Sequence, residues 1–189
     1  PSLFARITPL FDIGLLADAK VLIAGCGSGG GSVALQLVMS GVRSFTLADN
    51  DILEPENVIR HVCRSRYVGQ KKVHALADIL RDRNPAVDVS ILDIDLLHDQ
   101  SVEALVKNST VVVLATDNEP TRYRLNEICL KTKAPFVVGR VFTRGNGGEV
   151  FAYRPETGGC LACLEQHLQR TKFREGVREI DLVSEPERE

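Results

Sequence analysis

The sequence has no excess charge of either sign: 23 Lys and Arg stand against 25 Asp and Glu, a formal net charge of -2. No global basic field is available to attract nucleic acid. It also has no apolar run approaching the roughly 20 residues that span a bilayer, so a membrane role is not expected. Nor is there a basic-then-apolar leader, since Pro1 to Lys20 mixes apolar residues with Arg6, Asp12 and Asp18, and the expected location is the cytoplasm. The five cysteines are an odd number in a chain that is not small, which favours free thiols or a metal site over a disulfide framework. Internal repeats and low-complexity tracts are missing. An initiator Met is missing too, which leaves open that the sequence is a piece of something longer. What is present, 44% hydrophobic and 25% charged residues with 15 Gly and 8 Pro over 189 positions, describes one soluble globular domain able to bury a core.

The chain is organised around Lys20 to Gly41 (KVLIAGCGSGGGSVALQLVMSG). Val21, Leu22, Ile23 and Ala24 form a continuous apolar run, as expected of a strand buried on both faces in a parallel sheet. The following helix pairs Val33 with Leu37 and Ala34 with Val38, one turn apart, and Gly41 suits its C-cap. Between strand and helix, Gly25, Gly27 and Gly30 match G-x-G-x-x-G. That pattern supplies a tight turn, close backbone approach by a phosphate, and free N–H groups at a helix N-terminus.

Further elements alternate. Leu10, Phe11, Ile13, Leu15 and Leu16 suggest a short helix before the first strand. Strands are expected at Ser44 to Asp49, Asp88 to Asp93, Val111 to Ala115, Pro135 to Gly139 and Glu149 to Tyr153, the last in either orientation, parallel or antiparallel. Helices are expected at Gln70 to Arg83, Ser101 to Lys107 and around Leu125, Ile128 and Cys129, and Arg144 to Gly148 reads as a glycine-rich turn. The alternation predicts an α/β fold: a doubly wound, mostly parallel Rossmann-like sheet with helices on both faces. Residues 1–170 form the nucleotide-binding domain in this reading, and 171–189 a charged tail or the start of a further segment. Ligands of such sheets sit at the carboxyl ends of the strands, so Asp49 and Asp117 share a rim with the glycine turn. Asp49 follows Gly30 by 19 residues, where a Rossmann-type unit places the acid that binds a ribose hydroxyl. The irregular stretch Asp51 to Gly69 is of a length that is often functional.

Several short motifs then recur in one order: Leu47-Ala48-Asp49-Asn50-Asp51 leading to Asn57-Val58-Ile59-Arg60, Val68-Gly69-Gln70-Lys71-Lys72, Asn84-Pro85, Thr116-Asp117-Asn118 with Arg122, and Cys160-Leu161-Ala162-Cys163. Together with the glycine turn they resemble the ThiF/MoeB/HesA family of ubiquitin-activating-type adenylyltransferases, over most of Lys20 to Cys163. The resemblance implies ATP- and Mg²⁺-dependent adenylation of the C-terminal carboxylate of a ubiquitin-like or sulfur-carrier protein, with a small peptide or tRNA as the alternative acceptor, and a homodimer. It implies that Arg60 and Lys72 contact the triphosphate, Asn57 orients it, Asp117 holds Mg²⁺ and Asp49 binds the ribose. Asp51 either binds nucleotide or shapes the loop, and Asp117 has the ordinary alternative of capping the next helix. Cys26 reads as a packed residue and not a nucleophile.

Cys160 and Cys163 have the knuckle spacing of tetrahedral zinc, but two thiolates are half a site. No Cys follows them, and His167 is the one residue whose spacing offers a third ligand. A redox role needs the pair to open a helix in a thioredoxin-like unit, whereas here it follows a hairpin. Two departures from the family stand out: the partner-supplied arginine would fall at or before Pro1, with Arg6 not aligned to it, and no thioester cysteine follows Cys163. Two other readings compete. An NAD-dependent oxidoreductase would use the glycine turn and Asp49 but has no need of Asn57, Arg60, Lys72 and Asp117. A non-catalytic module would not require the complete cation and metal set.

Overall fold

Val21 to Ala24 offer water no polar position, and they form the middle of the sheet. The structure, a computed structural model, describes residues 3–6, 8, 12–141 and 147–174, the last six by backbone alone. In chain order its elements are α1 (Ile13–Ala17), β1 (Lys20–Ala24), α2 (Ser28–Ser40), β2 (Ser44–Ala48), α3 (Lys72–Arg83), β3 (Asp88–Leu92), α4 (Val102–Lys107), β4 (Val111–Leu114), α5 (Glu119–Thr132), β5 (Phe136–Val141), β6 (Gly148–Tyr153) and α6 (Leu161–Arg174). The sheet order is β3-β2-β1-β4-β5-β6, with all pairs parallel except β5 with β6. This is the expected doubly wound α/β sheet with an antiparallel last strand. Leu10 and Phe11, residues 144–146 of the expected glycine-rich turn, and residues 175–189 lie outside the described residues.

Helices cover both faces. On one, α2 and α3 pack on Val21, Ile23, Phe45, Leu47 and Val89; on the other, α4, α5 and α6 meet Leu22, Val112, Leu114, Phe136 and Val138. α3 shows why its pattern reads as a helix: Val73, Leu76, Ala77 and Leu80 fall on one side and are fully buried. Each buried Leu of this kind contributes about 1.5–3 kcal/mol relative to exposure. In α2 the two expected pairs differ in depth, although Leu37 of the shallower pair also packs against the core. Ala34 and Val38 are buried, whereas Val33 is 39% exposed and, with Leu37, lines a groove. Among the described residues no helix is long and apolar enough to cross a membrane.

Strand order fixes where a ligand can sit. The chain leaves β1 toward β2 and β3 and later returns to lay β4 against the other edge of β1, so the connections diverge above the β1/β4 boundary. Such a switch point opens a crevice at the carboxyl ends of the strands. The register makes those ends level: Ala24 pairs with both Ala48 and Leu114. Gly25, Asp49 and Ala115 therefore emerge side by side.

Candidate active site

The glycine turn is built by sterics. Gly25 has φ +97°, and a Cβ there would lie 2.8 Å from the Ala115 carbonyl carbon; a Cβ on Gly30 would lie 1.9 Å from the Gly25 carbonyl oxygen. Both glycines are required for α2 to start hard against the ends of β1 and β4. Gly27 is different. Its φ of -73° suits any residue and nothing lies within 4 Å of where its Cβ would be, although it caps α2. Neither protein sterics nor strain demands a glycine there, and the bare backbone leaves the turn open to close approach by a ligand.

This open side faces a groove of about 2080 Å³. Its walls include Gly25, Gly27, Ser28 and Gly29 from the turn, Asp49 and Asp51 beyond β2, Asn57, Arg60 and His61 from the irregular segment, Lys72 opening α3, and Thr116 to Asn118 beyond β4. Every residue expected to contact nucleotide is thus on this groove, except that Gly30 stands behind the turn and is buried there. Val113, Val137, Val141 and Val150 extend it along the sheet. The volume exceeds the ~300–1,000 Å³ typical of a pocket for one small molecule.

The polar residues are already engaged in specific ways. Asp49 accepts the Cys26 N–H at 2.6 Å through Oδ2 and the Asp51 N–H at 2.7 Å through Oδ1, tying the end of β2 to the glycine turn. Lys72, whose side chain is mostly buried, donates to Asp51 Oδ2 at 2.7 Å, and its backbone N–H to the Asp51 carbonyl at 2.9 Å. Asp51 therefore shapes the loop and holds a lysine. Asn57 Oδ1 accepts the Glu54 N–H at 3.1 Å, closing a capping box around the short helical turn Pro55–Asn57. Within the irregular segment, fully buried Leu53 pins the chain by two backbone bonds, to Gln70 and Gly69. The guanidinium of Arg60 makes no hydrogen bond or ion pair among the described residues, and neither does the exposed carboxylate of Asp117. The cap of α5 is Asn118, which accepts from the Thr121 N–H at 3.0 Å, so Asp117 is not spent as a helix cap.

Two residues in the groove, Arg140 and His61, escaped the motif reading, and a third, Arg122, stood in it with no role assigned. Arg122 Nε donates to the Thr116 carbonyl at 2.7 Å and fixes the loop carrying Asp117. Arg140 binds both Glu149 and Glu165 at the far end of the groove, with Glu165 at 2.8 Å; burial, then Glu119, raises the Glu165 carboxyl above its ordinary range. His61, 8% exposed, lies 2.8 Å from the Cys26 carbonyl through Nε2. Its signal in the sequence was slight: one histidine beside Arg60, with no periodic partner.

The cysteines divide into two kinds. Cys26, Cys63 and Cys129 are buried, and burial pushes the thiols of Cys63 and Cys129 up to about 12. Cys26 is raised well above its ordinary value by burial and then by Asp49, which fits a packed residue. Cys160 and Cys163 lie with sulfurs 3.7 Å apart. Cys160 follows the β5–β6 hairpin, as expected, and directly precedes α6, so the pair also opens a helix. Buried Asn126 anchors that start by accepting the Leu161 N–H at 3.1 Å. Among the described residues no three His, Cys, Asp or Glu side chains gather as metal ligands, so His167 completes no site here and the zinc expectation rests on two thiols.

The sequence model of the ThiF family matches residues 12–182. The adenylyltransferase and sulfurtransferase MOCS3-2 of Zea mays is 33% identical over 150 residues, covering 79% of this chain and 30% of that protein. The SAMP-activating enzyme E1 of Haloferax volcanii is 34% identical over 153 residues, 80% of this chain and 55% of its own length. The chain thus spans from under a third to little more than half of these relatives. The crystal structure of E. coli MccB with ATP superposes with a TM-score of 0.72 at 25% identity, covering 90% of this chain and 52% of that one.

Proposed function

The chain belongs to the ThiF family, and from that premise we propose that it adenylates the C-terminal carboxylate of a ubiquitin-like or sulfur-carrier protein, using ATP and releasing pyrophosphate. The observation that carries the reading is the convergence of an unexplained glycine cradle at Gly27 with Arg60, Lys72 and Asp117 on one groove larger than a nucleotide needs. Adenylyltransferases among the relatives, and ATP bound by MccB, support it.

In this proposal the turn at Gly25, Gly27 and Gly30 receives the phosphates on the free N–H groups of α2, whose dipole favours an anion. Asp49 reaches a ribose hydroxyl with the lone pairs its backbone bonds leave, and Asn57 orients the triphosphate. Arg60 and Lys72 offset its charge, with Lys72 exchanging Asp51 for a phosphate oxygen. The acceptor carboxylate is ionised at neutral pH, so no general base is needed and electrostatic stabilisation carries the acceleration. Asp117 suits Mg²⁺, which is commonly held by one or two carboxylates plus substrate phosphates and not by an all-protein cage. When bound, the ion would neutralise charge growing on the leaving pyrophosphate. No step is assigned to zinc. The apolar run past Val113 and Val137 would receive the acceptor's tail, and the assembly is a homodimer in this reading.

The test is pyrophosphate–ATP exchange by the full-length gene product with Mg²⁺ and a protein ending in Gly-Gly. Stimulated exchange that is lost in Arg60→Ala and Asp117→Ala is the expected result. Tight NAD binding insensitive to both changes would overturn it in favour of an oxidoreductase. ATP binding without exchange for any such partner would leave a non-catalytic module.

A further inference from the structure

Cys26 has both polar atoms of its backbone gripped by side chains. Asp49 accepts its N–H at 2.6 Å, and His61 Nε2 lies 2.8 Å from its carbonyl oxygen. The Cys63 N–H points at His61 Nδ1 from 3.1 Å. Nδ1 is then an acceptor, the ring proton sits on Nε2, and the imidazole donates to Cys26. In a trans peptide the carbonyl and the following N–H point opposite ways. Anchoring the Cys26 carbonyl on His61 therefore aims the Gly27 N–H away from the histidine, and that N–H makes no hydrogen bond among the described residues. The same short segment presents Arg60 to the groove and packs Val62 beside the start of α2, where a Cβ on Gly31 would come within 3.0 Å of Val62 and 3.6 Å of the His61 ring.

We infer that His61 is a positioning residue for the nucleotide: as a neutral donor it fixes the Cys26–Gly27 peptide so that the turn presents N–H groups, and no carbonyl, to the phosphates. This rests on the reading of the groove as an ATP site. A free Cys26 carbonyl would be able to rotate toward the groove and oppose an anion. The charged groups that act on the ring are Asp49 beyond β2, Lys72 at the start of α3 and neighbouring Arg60. Burial holds the imidazole below its ordinary pKa, with Lys72 and Arg60 acting the same way and the Cys26 bond and Asp49 opposing. The neutral ring therefore persists to lower pH than that of an ordinary histidine, and the clamp is lost as pH falls through the lowered value. Protonation would set Nδ1–H against the Cys63 N–H and loosen the clamp.

Two substitutions separate positioning from bulk. His61→Gln carries a donor at the reach of Nε2, while His61→Asn places its amide near Nδ1 and falls short of Cys26. ATP affinity across pH 5.5–8 and amide hydrogen exchange of residues 26–31 are measured on the full chain, with thermal melting to confirm folding. His61→Asn is expected to weaken ATP about tenfold, the equivalent of ~1.4 kcal/mol, and to speed exchange of the turn. His61→Gln should stay within about threefold of the native chain and lose its acid dependence. Unchanged ATP affinity or unchanged amide exchange in folded His61→Asn overturns the inference. If the native chain binds no ATP, the adenylation reading falls, and the exchange measurement alone decides whether His61 holds the turn.

Discussion

Gly27→Ala isolates what the glycine cradle is for. The backbone there, φ -73° and ψ -162°, accepts alanine without strain, and the added methyl meets nothing within 4 Å. Alanine caps a helix somewhat less well than glycine, a difference of at most ~1 kcal/mol, which lowers the melting midpoint of a domain of this size by no more than about 2–4 °C. Gly30→Ala is the internal contrast. Its methyl would stand 1.9 Å from the Gly25 oxygen, well inside the 3.0 Å that real Cβ atoms keep, and the obstacle is backbone with no rotamer to yield. α2 must move off the β1 turn by more than 1 Å against rigid backbone, which the upper end of overpacking precedents puts at ~3 kcal/mol, a drop of about 6–12 °C. Thermal melts with fluorescence-monitored ATP titration read both quantities. Gly27→Ala should melt near the native chain yet bind ATP at least roughly tenfold more weakly, because the methyl occupies the approach to the N–H groups. Native ATP affinity in Gly27→Ala would refute the cradle; a melt as low as that of Gly30→Ala would show that the turn is tighter than described.

Asp117→Asn should leave melting unchanged, since the exposed carboxylate bonds to no described residue, while removing the Mg²⁺ dependence of ATP binding in a metal titration. Lys72→Met breaks an ion pair whose Asp51 side chain is 65% exposed, so little stability is at stake, but pyrophosphate exchange should fall by about 10²–10³, the effect of removing one group that meets developing charge. Iodoacetamide at pH 8 should label Cys160 and Cys163 in the folded chain and spare Cys26, Cys63 and Cys129, as read by peptide mass spectrometry; labelling of Cys26 without unfolding would contradict its burial.

Local pattern revealed the frame because local physics makes it. An unbroken apolar run leaves β1 no solvent face, and glycines followed by helix formers specify a turn whose ends must touch. The strands' carboxyl ends were legible for the same reason, and with them the sharing of one rim by Asp49 and Asp117. Partners across long separations were not. A 3.6-residue period names two adjacent stripes on α2 without saying that Ala34 and Val38 are fully buried while Val33 opens onto the groove and Leu37 sits between groove and core; that depends on what packs beside the helix. Nor does any spacing disclose that His61 reaches Cys26, 35 residues earlier, or that Lys72 holds Asp51. These hidden pairs bear on mechanism more than the motifs do. The Asp51 end of the Lys72 ion pair is solvated and a phosphate oxygen would replace one anionic partner by another, so on the proposed reading Lys72 can leave Asp51 at little cost. Asp49 differs, because giving up the Cys26 and Asp51 N–H groups would loosen the turn that the nucleotide needs. On the proposed reading, a ribose would bind Asp49 as it stands, through lone pairs outside those two bonds, and the carboxylate would serve the ligand and the turn at once.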